Sequence, residues 1–116
     1  MFYANYLKYM ERARTEWLRS LGFEQDEIAR RDGVIFAVRS ARIDFIKPAR
    51  FNDLLQATVE LTKRGHASMA FAQRIQRGSL TLCAGEVKVA CLDAATLAPR
   101  AIPKHLVTQL DSGASA

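Results

Sequence analysis

"NYLKYMERARTEWLRSL", residues 5–21, is the stretch on which the fold turns. Tyr6, Met10, Ala13, Trp17 and Leu21 recur at intervals of four, three, four and four. That spacing draws one apolar stripe along an α-helix of about four to five turns. Lys8, Arg12, Glu16 and Arg19 occupy the opposite, solvated side. Asn5 suits the N-cap, or Tyr3 and Ala4 already belong to the first turn. Gly22 follows at the position where a left-handed residue ends a helix. A helix with a single apolar stripe needs a surface to lie on, and the rest of the chain supplies it.

Downstream, "EQDEIARR" (24–31) reads as a short polar helix with acid first and base last, the order its dipole favours. "RDG" then turns the chain. From Gly33 the apolar period shortens to that of strands. "VIFAVRSARIDFI" (34–46) is long enough for a bent strand, closed by "KPAR", whose Pro48 has no N–H to donate. "LLQATVELTKR" (54–64) alternates cleanly, and "RGH" makes a turn at Gly65. "ASMAFAQRIQR" (67–77) sets Ala67, Met69, Phe71 and Ile75 on one face. "LTLCAGEVKVACLD" (80–93) changes apolar phase at Ala84–Gly85, which predicts a β-bulge there. A short helix over Lys104–Leu110 and a frayed tail, 111–116, complete the reading. One long helix, a small helix and four antiparallel strands make an α+β domain, with the long helix across the concave sheet face. The boundaries are 1–110 for the domain and 111–116 for a disordered tail.

The composition narrows the function classes. At 116 residues the chain is one domain, and no apolar run reaches the roughly 18 residues that span a bilayer. "MFYANYLKYM" lacks the basic and apolar regions of a signal peptide, so the expected compartment is the cytoplasm. Cys83 and Cys91 lie in one strand, about 26 Å apart at full extension, too far to join, and read as small core residues. No Cys/His cluster has metal-ligand spacing, so no metal is expected. The net charge of +5 points to an anionic partner. The basic residues are scattered rather than run together, which disfavours nucleic acid.

"FYANYLKYMERARTEWL" with "KPAR", "FAQRI" and "PRAIP" resembles the YbgC-type acyl-CoA thioesterases, among the 4-hydroxybenzoyl-CoA thioesterase-like hotdog proteins. The resemblance runs from Met1 to Leu110. It implies a hotdog fold, a long helix wrapped by a curved antiparallel sheet, and hydrolysis of an acyl-CoA to a free acid and coenzyme A. Coenzyme A enters as part of the substrate, and no further cofactor is implied. In the family a strand and a D-T-D-x-x-G-x-V loop precede the helix, and the loop's second Asp is the catalytic carboxylate. Met1 stands at the Val position, and the 116 residues contain no D-T-D. The expectation is therefore a family member without its first strand and catalytic Asp. The alternative is an inactive hotdog protein that binds acyl-CoA or a protein partner. Enoyl-CoA hydration is disfavoured, because "FYANY" lacks the His/Asp pair of that chemistry.

What the resemblance carries over is the backbone N–H at Tyr3, which would polarise the thioester carbonyl. YbgC-type members often have His there, and the 4-hydroxybenzoyl-CoA branch has Tyr. Lys63, Arg64, His66 and Arg100 match places where the broader family holds the phosphates of coenzyme A, with Lys104 added by proximity. Glu11 sits about 12 Å along the helix from Tyr3 and is read as a structural partner of Arg14 or Thr15. Asp44 is read as a solvent-facing strand residue and Asp53 as turn chemistry. The family also implies a homodimer or homotetramer with sites between subunits, acyl carrier protein as a partner, and association with the Tol-Pal system.

Overall fold

The computed structural model describes residues 3–48 and 54–114, with side chains described for 6–48 and 54–111. The chain forms α1 (Tyr3–Ser20), α2 (Gln25–Asp32), β1 (Val34–Phe45), β2 (Gln56–Arg64), β3 (Ser68–Arg77), β4 (Leu80–Asp93) and α3 (Lys104–Ala114). The four strands make one antiparallel sheet in the order β1-β4-β3-β2, so the expected element order and α+β class stand. Tyr3 already lies in the helix, ahead of the Asn5 start.

α1 lies on the sheet through two groups of side chains. Tyr6 and Met10, nearly free of solvent contact, pack with Ile75, Leu82 and Cys83. Leu18 joins the larger group around Met69, Phe71, Val87, Val89 and Cys91, which Ile102, Leu106 and Leu110 extend. Trp17 meets Phe71 edge-on, their ring centroids 5.5 Å apart. The Tyr6 hydroxyl donates to the Lys47 carbonyl at 2.8 Å, tying the helix to the end of β1. Of the apolar stripe read from the sequence, Tyr6 and Met10 are buried and Ala13, Trp17 and Leu21 half-buried, while Leu18, outside that stripe, is buried.

α2 has Asp26 and Glu27 in its first turn and Arg30 and Arg31 in its last. Its cap, Gly33, takes the left-handed conformation (φ 69°) and donates its N–H to the Ala29 carbonyl at 3.1 Å. α3 runs through Asp111 to Ala114, beyond the Leu110 limit that the sequence suggests. Its last turns gain a tertiary tie that local propensity does not contain, because Arg64 pairs with Asp111.

Three register slips bend the sheet: Arg39 is extra in β1, Thr62 in β2 and Leu82 in β4. The bulge expected at Ala84–Gly85 therefore lies at Leu82, where two consecutive side chains, Leu82 and Cys83, are both buried. Gly85 has another reason to be glycine. A Cβ there would come within 2.8 Å of the Arg42 carbonyl oxygen and 2.5 Å of the Ile43 Cδ1. β1 crosses β4 too closely at that point for any side chain.

Candidate active site

Helix geometry leaves the first N–H groups of α1 without intrahelical partners, and the aligned peptide dipoles put partial positive charge there. No acidic residue in the first turn offsets it. Tyr3, the first residue of α1, therefore carries an N–H of the kind that stabilises a carbonyl oxygen gaining charge.

A cleft of about 410 Å³ follows α1 where the helix meets β1 and β4. Its walls are apolar, from Leu7, Met10 and Leu18 on the helix to Phe36, Val38, Ile43 and Val89 on the sheet. Val38 is 53% and Leu7 46% exposed, so one side of this cleft is open. Glu11 and Arg14 supply charge within it.

Gln73 is not among the candidate site residues that the sequence offers. It is 1% exposed, on the sheet face beneath α1. Its Nε2 donates to the carbonyls of Met10 (2.9 Å) and Thr58 (3.4 Å), and its Oε1 accepts from the Arg14 Nη1 at 2.8 Å. One amide thus joins α1, β2 and β3. The signal was in the alternation: Gln73 falls between Phe71 and Ile75 in the core phase of β3. Arg14 turns to Gln73 rather than forming the expected close pair with Glu11. Burial pushes the Arg14 pKa down, and the Glu11 carboxylate acts through space in the opposite sense.

The basic candidates gather where β2 turns into β3, at the sheet end away from the start of α1. The Ile102 N–H bonds the His66 carbonyl (2.9 Å) and the Arg100 N–H the Cys91 carbonyl (3.0 Å). The β2–β3 turn and the segment before α3 are therefore neighbours. Lys63, His66 and Lys104 are exposed there. The two arginines are engaged. Arg64 holds both carboxylate oxygens of Asp111, at 2.6 and 3.2 Å. Arg100 bonds the Gly33 carbonyl (3.0 Å) and Asp93 (3.2 Å). A phosphate reaching either guanidinium would share it with a carboxylate of the chain itself.

Asp93 also accepts from the Thr96 and Ala95 N–H groups, which together with Arg100 hold its pKa below the usual range. Asp44 is exposed on β1, as read from the sequence, and Asp53 lies outside the described residues. Cys83 and Cys91 are free thiols in the core, and burial raises the pKa of each. Among the described residues, no group of three His, Cys, Asp or Glu side chains has the placement to hold a metal ion, and no helix is long and apolar enough to cross a membrane.

A family model described as the thioesterase superfamily matches residues 1–84. The chain is 38% identical to the acyl-CoA thioesterase YbgC of Haemophilus influenzae over 106 residues, 91% of this chain and 78% of that protein. It is 37% identical to the acyl-CoA thioester hydrolase YbgC of Escherichia coli over 110 residues, 94% of this chain and 81% of the relative. The fold superposes with a TM-score of 0.84 on a solved structure described as a probable thioesterase from Bartonella henselae, at 30% identity, covering 89% of this chain and 85% of that one.

Proposed function

Because the chain belongs to the thioesterase superfamily, as a hotdog protein of the YbgC type, we propose that it hydrolyses acyl-CoA thioesters to a free acid and coenzyme A. The identity to curated acyl-CoA thioesterases over nine tenths of the chain carries this reading. The geometry supports a division of parts. The carbonyl oxygen is polarised by the Tyr3 N–H at the positive end of α1. The acyl chain lies in the apolar cleft along that helix. Water adds to the carbonyl, the oxyanion collapses, the C–S bond breaks and the coenzyme leaves as its thiol. In the resemblance the water is activated by the Asp of D-T-D, a motif that the 116 residues do not contain.

The coenzyme's phosphates meet Lys63, His66 and Lys104 at the basic corner, with Arg64 and Arg100 engaged by exchange with Asp111 and Asp93. The protein works in the cytoplasm as a homodimer or homotetramer. Among the described residues no strand lies outside β1 or β2, and those edges with the exposed Val38 and Leu7 support that assembly. Association with the Tol-Pal system and with acyl carrier protein is proposed from the likeness to YbgC proteins alone.

The test is release of free thiol from short, long and aromatic acyl-CoAs, by the 116-residue chain and by a version extended upstream to include D-T-D. Turnover by the extended chain alone assigns catalysis to that Asp. Equal turnover by both moves it to a carboxylate of this chain, Glu11 or Asp44. Acyl-CoA binding without turnover by either makes the protein a binder.

A further inference from the structure

The cleft beside α1 has a direction. Leu7, Met10, Glu11, Arg14 and Leu18 line it from one helix, so it runs down α1 from the early turns toward the C-terminal end. From Tyr3 to Arg14 the helix rises about 16 Å at roughly 1.5 Å per residue. An extended acyl chain advances about 1.3 Å per carbon for C–C bonds of roughly 1.5 Å. A thioester held at the start of α1 thus lays a chain of about a dozen carbons level with Arg14.

Arg14 is fixed at that depth. Its one hydrogen bond among the described residues goes to Gln73, whose amide is itself buried and committed to the Met10 and Thr58 carbonyls. A guanidinium has five N–H donors, and no carboxylate among the described residues lies within ion-pair distance of this one. Glu11, on the exposed side of the helix, is the charged neighbour that acts on it from a distance. A half-buried cation with open donors on an apolar wall calls for an acceptor. The guanidinium fork suits a carboxylate above other acceptors.

We propose that Arg14, set in place by Gln73, reads the far end of the acyl chain, and that the cleft takes unbranched acyl thioesters of about ten to twelve carbons bearing a terminal carboxylate. This rests on the acyl-CoA reading above and adds the acyl class.

Calorimetric binding of dodecanedioate and dodecanoate tests it without requiring turnover. The wild-type chain is expected to bind the diacid at least about tenfold more tightly, the worth of one charge-assisted hydrogen bond. Arg14→Met, a folded state confirmed by circular dichroism, is expected to lose that preference and keep dodecanoate binding. Glu11→Gln is expected to strengthen it by removing a like charge. Equal affinities in the wild type overturn the proposal whatever the variants do, as does an Arg14→Met protein that still prefers the diacid. Hydrolysis of dodecanoyl-CoA and of its terminally carboxylated counterpart separates the two readings. Turnover of both at equal efficiency sinks the carboxylate reader and leaves the thioesterase standing. Selective diacid binding with no turnover of either does the reverse.

Discussion

The underside of α1 and the basic corner solve the problem of holding charge in opposite ways. Beneath α1, Gln73 spends a whole buried amide on two carbonyls and one guanidinium, and no described side-chain polar atom is buried without a partner. At the corner, Arg64 and Arg100 meet Asp111 and Asp93 across exposed surface, where water screens each pair. The first arrangement is stiff and expensive to disturb. The second is a set of exchangeable contacts, suited to a ligand that brings its own negative charge. In the proposed reading, rigidity therefore sits where the far end of an acyl chain is held, and lability where a coenzyme comes and goes.

The comparison breaks most sharply at Gln73. Gln73→Ala removes the acceptor for Arg14, leaves a cavity beneath α1, and is expected to cost about 3 kcal/mol in urea unfolding. A loss under about 1 kcal/mol would show that the amide is not a keystone. Tyr6→Phe deletes the bond to the Lys47 carbonyl while keeping the packed ring, with an expected loss of about 1 kcal/mol in the same assay. At the corner, Asp111→Asn is expected to change stability by less than about 1 kcal/mol. It should tighten coenzyme A binding severalfold by freeing Arg64, and unchanged or weaker binding would remove Arg64 from the phosphate site. The smallest effect concerns acid. Asp93 has its pKa lowered by backbone N–H groups and Arg100, so its contribution is complete above the unfolded carboxylate pKa of about 3.9 and is lost as pH falls through the lower folded value. Asp93→Asn should lower the neutral-pH melting temperature slightly and flatten the decline of stability below about pH 4, so that the two proteins converge in acid, and equal melting temperatures at neutral pH would show that the carboxylate contributes nothing.

How much the sequence discloses follows the same division. α1, the four strands and their turns are local in origin, set by apolar period and by Gly33 and Pro48, and they are where the pattern puts them. The open question was what faces what. The partner of Arg64 is Asp111, on a helix that the apolar period ends at Leu110, and only the folded chain brings them together. The β4 bulge was displaced from Ala84–Gly85 to Leu82 because glycine has two uses, bending and close approach, and the pattern alone does not separate them. Gln73 was legible by phase and was missed by polarity. An amide between Phe71 and Ile75 reads as an exception to the alternation, although it is the alternation that buries it.

β4 lies inside the sheet, between β1 and β3, and carries both cysteines with no solvent contact. Reagents that detect liberated coenzyme A react with thiolates, and these two sulfurs are neither ionised readily nor reachable. A turnover assay on this protein therefore has a quiet background, every colour change belonging to product. In denaturant the same reagent becomes a counter of molecules whose sheet has parted, two signals for each.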